Sequence, residues 1–190
     1  MDFGWIIARV QNILMRPKDE WYVVDGEEGS VQQVFTYAAV VAAIPALLGL
    51  LIGLIYIGPF AIVNAVIGYA FTFGFLYVAA LIVDFLAPNF DTEKHFPSAL
   101  KLVTYSATPG WVAVALSYVL GLIPALGAIL ALLLLIAAIV YYVYLFYYGI
   151  LILMRAPVNK AIGYTAASIG IMFAAAFVFG MILAALRLAI

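Results

Sequence analysis

The sequence predicts an all-α integral membrane protein, a helical bundle with five transmembrane helices and an N-terminal amphipathic interfacial helix. The main observation is where charges are missing. Asp, Glu, Lys and Arg are absent from residues 34–83, 102–154 and 161–186. Charged residues make up 9% of the chain, against about a quarter in an ordinary soluble domain. Charge-free stretches of this length indicate segments surrounded by lipid.

The number of spans follows from the lengths of these stretches. One helical span needs about 20 residues, so the first two stretches fit two helices each and the third fits one. Breaker residues at Gly58-Pro59 and from Gly121 to Pro124 separate neighbouring helices. Helices are favoured over a β-barrel, because barrel strands alternate apolar and polar residues. The five spans are expected at about 34–56, 60–85, 98–120, 125–154 and 161–188.

The sequence divides into a cytoplasmic segment, residues 1–33, and a five-span transmembrane domain, residues 34–190. Within the first 16 residues, a helix would carry Arg9, Asn12 and Arg16 opposite an apolar stripe. A short helix of this kind suits the membrane surface, although packing against the spans stays open. Pro17 is expected to end this helix, and residues 18–33 to form an exposed polar linker. The apolar stripe consists of Phe3, Ile6, Ile7, Val10, Ile13 and Leu14.

The positive charges predict the orientation. Seven of the eight Lys and Arg residues lie in the N-terminal segment and in the loops after spans two and four. With five spans these three segments share one side, which the positive-inside rule assigns to the cytoplasm. We therefore expect a cytoplasmic N-terminus and an extracytoplasmic C-terminus. We expect no cleavable signal peptide, because the first apolar stretch is internal.

Composition narrows the chemistry that the chain could perform. The sequence has no cysteine, which excludes disulfides and thiolate sites. A net charge of −1 gives no electrostatic signature of nucleic acid binding. His95 lies near Asp91, so a metal site is conceivable, but a hydrated loop of mixed charge is the favoured interpretation. We expect no cofactor, no catalytic residues and no enzymatic activity.

The third span contains the most informative polar residues. Pro109 cannot donate a backbone hydrogen bond, so the carbonyl of Tyr105 loses its partner. The hydroxyls of Ser106 and Thr108, or a water, could replace it. Two interpretations remain open: a proline kink, or a polar pocket that opens toward the cytoplasm near Lys101. The candidate pocket or partner surface comprises Asp84, Lys101, Tyr105, Ser106, Thr108, Pro109, Trp111, Tyr144 and Tyr148.

Small residues and tyrosines add two further signals. Gly49 and Gly53 in span one, and a stripe around Gly170 in span five, allow close helix packing within the chain or in a homo-oligomer. Five tyrosines crowd the predicted cytoplasmic half of span four, which indicates an interfacial belt or a surface that faces lipid or a partner. They are Tyr141, Tyr142, Tyr144, Tyr147 and Tyr148.

Several motifs together resemble the Yip domain family of Ypt/Rab-interacting membrane proteins, in its prokaryotic branch. The most specific match runs from Tyr105 to Trp111, with the sequence YSATPGW. Met15-Arg16-Pro17 with Trp21 is similar to the opening of the family. Further similarities lie in residues 86–101 and 144–165, although Phe90-Asp91-Thr92 departs from the glycines that prokaryotic relatives carry there.

The resemblance implies a non-enzymatic polytopic membrane protein, and its prokaryotic branch implies a location in the prokaryotic inner membrane. It favours a membrane-organising or adaptor protein that acts through lipids, other membrane proteins or a second copy of itself. The alternative is a carrier or channel for a small or lipid-like substrate that uses the broken third helix. A membrane enzyme with a site at Asp84, Asp91 and His95 is the weakest of the three hypotheses.

Overall fold

The computed structural model describes residues 3–27 and 30–188, and every regular element in these ranges is helical. Two short helices come first, and four helices of 27 residues or more follow, with two further short helices between the second and third of these. The elements are α1 (Phe3–Met15), α2 (Pro17–Gly26), α3 (Val31–Ile57), α4 (Phe60–Leu86), a 3₁₀ turn (Ala87–Phe90), α5 (Phe96–Ser106), α6 (Thr108–Leu120), α7 (Leu126–Ile152) and α8 (Val158–Leu188).

Four segments are long and apolar enough to cross a membrane, and they correspond to predicted spans one, two, four and five. They are Val31–Ile57, Phe60–Phe90, Leu126–Ile152 and Val158–Leu186. The region of predicted span three is instead divided into α5 and α6, of 11 and 13 residues. Neither helix alone reaches the length of about 20 residues that a span needs.

The division of α5 from α6 replaces the single span expected at about 98–120 with two shorter helices. The two helices meet at Ala107, and Pro109 lies in the first turn of α6. A first-turn proline is favourable because its missing N–H would have no partner within the helix. Pro109 therefore starts a new helix, and the Thr108 hydroxyl is paired with Tyr37.

The α3–α4 turn depends on a glycine conformation. Gly58 ends α3 with a φ of +60°, a left-handed backbone conformation that side chains disfavour. Its carbonyl accepts from the Ala61 N–H at 3.0 Å, which closes the turn. Two long apolar helices are thereby joined with almost no intervening loop.

Side-chain contacts gather the charged segments at one end of the bundle. Asp91 in the α4–α5 loop pairs with Lys160 near the start of α8. Arg155 in the α7–α8 loop lies 3.8 Å from Asp25 of α2, and the Thr92 hydroxyl donates to the carbonyl of Met154. The segments that hold seven of the eight basic residues therefore lie together.

Helix α2 overturns the prediction of an exposed polar linker over residues 18–33. Pro17 ends α1 and also begins α2, where its fixed φ is already suited to a helix. The helix buries Glu20, Trp21 and Val24 on one side. Most of the expected linker is thus a short helix packed onto the bundle, and residues 28 and 29 lie outside the described range.

Helix α1 also differs from its predicted arrangement. Ile6, Arg9 and Ile13 face the protein and are almost fully buried. The placement of Arg9 on the exposed polar side was wrong. Its guanidinium is buried because it forms ion pairs with Glu20 of α2 and with Glu27, which directly follows α2. Phe3 and Ile7 remain exposed, at 60% and 57% of their surface.

Candidate functional site

A buried cluster of charges joins the N-terminal helices to the bundle. The Arg9 guanidinium contacts Glu20 at 2.5 Å and also pairs with Glu27. Its central carbon lies 5.3 Å from the ring centre of Trp5 and 5.4 Å from that of Tyr105. Carboxylates and aromatic faces both stabilise a cation that has lost its water. Arg9 therefore fastens α1, α2 and α5 together.

Lys101 supplies a second connection, from α5 to the end of α2. Its ammonium donates to the carbonyl of Val24 at 3.0 Å and to that of Glu27 at 2.6 Å. These carbonyls lie at the helix C-terminus, where intrahelical donors are lacking and a positive charge is favourable. Lys101 is thus used to hold the N-terminal segment in place, and its side chain is buried.

Aromatic rings continue the cluster toward the break between α5 and α6. Tyr37 of α3 meets the ring of Tyr105 edge-on at 4.9 Å between centres. Its hydroxyl lies 2.8 Å from that of Thr108. Tyr105, Ser106 and Thr108 are at most 1% exposed, so the predicted polar stretch faces the protein interior, with α1 and α2 packed beside it.

The tyrosines of α7 contact the chain's own N-terminal helices. The Tyr141 hydroxyl donates to the carbonyl of Leu14 at 2.9 Å, near the end of α1. Tyr144 and Tyr148 have ring centres 4.9 Å apart, and the Lys18 ammonium lies 4.8 Å from the ring centre of Tyr148. A hydrogen bond with Tyr148 is the main cause of the raised pKa of Lys18. Much of the tyrosine surface is therefore an intramolecular contact.

A large apolar cavity of about 580 Å³ lies beside the break in the third helical segment. Ala107, Gly110 and Trp111 form one wall, and residues of α4, α7 and α8 form the others. A Cβ atom added at Gly110 would meet nothing within 4 Å, so the missing side chain adds to the space. Ile139 and Phe173 line the cavity and are largely exposed on the apolar surface.

Asp91 and His95 make separate local contacts, with different partners. Asp91 pairs with Lys160, and His95 caps the start of α5 by accepting from the Ser98 N–H. One oxygen of Asp84 is buried and has no hydrogen-bond partner in the described ranges. Across those ranges, no three His, Asp or Glu residues form a group that could hold a metal ion.

A known family pattern covers most of this arrangement of helices. The model of the Yip1 domain matches residues 12–180. The chain belongs to the Yip1 domain family. No curated protein and no solved structure matches the chain. The Yip1 domain match includes Lys101, Tyr105 and Pro109, whereas Arg9 precedes the matched range.

The sequence interpretation missed three members of the buried cluster, Arg9, Glu20 and Glu27. One signal could have indicated Glu20. Pro17 is as favourable at the start of a helix as at the end of one, and a helix from Pro17 aligns Glu20 with Val24 on the same face. No local pattern indicates that Arg9 pairs with residues 11 and 18 positions later.

Proposed function

We propose that this member of the Yip1 domain family is a non-enzymatic membrane-organising or adaptor protein of the prokaryotic inner membrane. In this proposal α5 and α6 together form a fifth span, so that the N-terminus is cytoplasmic and the C-terminus is extracytoplasmic. The combined 24 residues of α5 and α6 would suffice for about 30 Å of hydrocarbon. The gathered basic segments favour the same orientation.

The observation that carries the proposal is the attachment of α1 and α2 to the bundle through Arg9 and Lys101. Charged groups buried within a span commonly mark ion pathways, but here Lys101 of α5 donates to a backbone carbonyl of α2. Arg9 of α1 is likewise paired with Glu20 of α2. These contacts fix the position of α1, whose exposed Phe3 and Ile7 would then enter the membrane surface. An apolar helix flank held at the interface can alter lipid packing and membrane curvature.

Vesicle shape tests this proposal directly. The purified protein would be reconstituted into unilamellar vesicles of defined lipid composition, and diameters would be measured by cryo-electron microscopy. We expect the wild type to shift the size distribution and Ile7→Asp to remove the shift. Gln11→Asp, on the exposed part of the same helix, is the matched control. Identical vesicles with wild type and Ile7→Asp would argue against membrane organisation by α1.

The cavity beside Gly110 favours a second candidate function, a carrier for a lipid-like substrate. Its volume of about 580 Å³ lies within the usual range for ligand sites, about 300–1,000 Å³, and its lining is predominantly apolar. Transfer of a fluorescent lipid between leaflets would be measured in proteoliposomes. Gly110→Leu fills the cavity and should slow transfer, whereas Gly26→Leu, with an equally open surrounding, should not. Equal rates in wild type and Gly110→Leu would reject the carrier.

A further inference from the structure

A second groove lies near the charged end of the bundle, between the end of α4 and the middle of α8. It has a volume of about 560 Å³. Its walls are apolar, formed by Leu81, Ile82, Phe85 and Ile171, and Asp84 and Lys94 are the charged residues among its described lining. Leu81, Phe85 and Ile171 are largely exposed, so the groove opens on the outer apolar surface of the bundle.

The two charged residues of this groove have no ionic partner in the described ranges. One Asp84 oxygen is buried and accepts no hydrogen bond there. The Tyr164 hydroxyl donates to the carbonyl of the preceding residue, Val83, at 2.6 Å. Lys94 is exposed and lies over the Phe85 ring at 5.4 Å. Asp84 as a whole is half-buried, so its carboxylate is partly removed from water and still within reach of a ligand. A ligand that donates to Asp84 would offset the cost of that burial.

The position of these charges along the chain defines the kind of ligand. Asp84 directly follows the charge-free stretch 34–83, so the groove runs from a charged rim into an apolar wall. A carboxylate and an ammonium that line the same groove complement a headgroup that carries an amine and a phosphate. A primary ammonium carries N–H groups that can donate to Asp84, like the three donors of a lysine side chain. A quaternary amine has no N–H group and cannot donate.

We infer that this groove binds one phospholipid with a primary-amine headgroup, such as phosphatidylethanolamine. The ammonium donates to Asp84, the phosphate binds Lys94, and an acyl chain lies along Leu81, Phe85 and Ile171. The inference deepens the lipid contacts of the proposed function and rests on the chain acting at a membrane. It concerns a different surface from the exposed flank of α1.

The test is lipid retention by the full chain. Protein would be equilibrated with vesicles of equal parts phosphatidylethanolamine, phosphatidylcholine and phosphatidylglycerol with identical acyl chains, and retained lipids would be counted by native mass spectrometry. We expect the ethanolamine lipid to exceed the choline lipid roughly tenfold, the factor expected for one charge-assisted hydrogen bond. Equal retention of the three lipids, or preferential retention of phosphatidylglycerol, would overturn the inference.

Single substitutions test whether the preference for the ethanolamine lipid arises from this groove. Asp84→Asn should bring the ratio of ethanolamine to choline lipid close to one, and Lys94→Gln should lower retention of both. Glu93→Gln, an exposed acid in the adjoining loop, should leave the ratio unchanged. An unchanged ratio in Asp84→Asn would also reject the site. If Asp84→Asn does not fold, Lys94→Gln and the wild-type ratio decide the question.

Soluble glycerophosphoethanolamine distinguishes a lipid from a free headgroup. We expect it to compete poorly, because it lacks the acyl chains that contact the apolar wall. Complete displacement of lipid at equal concentration would overturn the assignment to a phospholipid. The two variants test the two proposals separately. Vesicle remodelling that disappears in Ile7→Asp but persists in Asp84→Asn would support the proposed function whatever the groove binds.

Discussion

Arg9 and Glu20 form an ion pair of 2.5 Å between two consecutive short helices, with each side chain less than one-tenth exposed. Because of this pair, part of the segment expected to be an exposed polar linker is a folded part of the bundle. Glu27 and the rings of Trp5 and Tyr105 complete the surroundings of the guanidinium. The N-terminal helices and the broken third segment therefore behave as one unit.

Arg9→Gln should destabilise the protein and release α1. Removing one partner from a buried ion pair leaves an uncompensated charge, which costs about 3–5 kcal/mol. Reversible unfolding in mixed micelles would measure the loss, and limited proteolysis would report the release of α1. Arg155→Gln is the control, because Arg155 is 81% exposed and 3.8 Å from Asp25, where a pair contributes under about 1 kcal/mol. Equal effects of the two variants would contradict the buried ion pair.

Tyr37 and Thr108 should be energetically coupled. Their hydroxyls are 2.8 Å apart and buried, and a neutral hydrogen bond contributes about 1 kcal/mol. Tyr37→Phe and Thr108→Val should each lower the free energy of unfolding, and the double variant should lose less than the sum. A double-mutant cycle in micelles measures the coupling. Strict additivity would show that the bond does not contribute to stability.

Ser106 and Thr108 should be inaccessible to water. Both side chains are fully buried, and the chain contains no cysteine, so single cysteines give an unambiguous signal. Ser106→Cys and Thr108→Cys should resist a membrane-impermeant thiol reagent in intact protein, whereas Glu93→Cys, in an exposed loop, should react. Rapid labelling at position 106 would favour the polar pocket open to the cytoplasm.

Reporter fusions test whether α5 and α6 cross the membrane together. With five spans, a reporter after Ile190 should be extracytoplasmic and one before Met1 cytoplasmic. A third fusion in the turn from Gly121 to Pro124 should report the extracytoplasmic side, because this turn follows α6. If both termini report the same side, the number of spans is even and α5–α6 does not cross.

Helix α8 offers the surface for a test of self-association. Ala166, Gly170 and Ala174 recur every four residues and are exposed, and a Cβ at Gly170 meets nothing within 4 Å. Small residues at this spacing permit close approach of two helices. If the protein is a homo-oligomer through α8, Gly170→Cys should form disulfide-linked dimers in native membranes, while Ala161→Cys, which is fully buried, should not. Monomers in both variants would exclude this interface.

The sequence determined the membrane character of the protein and its four long apolar helices. Composition and length decide these features, because about 20 apolar residues in succession have few alternatives to a membrane helix. The turn at Gly58 could also be predicted from neighbouring residues alone, since a glycine followed by a proline is a strong signal for the end of a helix. The resemblance carried by residues 105–111 indicated the Yip1 domain family, to which the match over residues 12–180 assigns the chain.

Only the tertiary structure decided what the polar residues do. Arg9 looked exposed and Lys101 looked like part of a pocket, because a helical pattern reports which face a residue occupies but not what packs against that face. Their partners, Glu20 and the carbonyl of Val24, lie 11 and 77 positions away in sequence. Likewise, the one local effect of Pro109 is the loss of a backbone donor. The approach of Tyr37 to this segment and the cavity beside Gly110 arise only when the helices pack together. Burial free energy depends on these distant contacts, and no local window of sequence contains them.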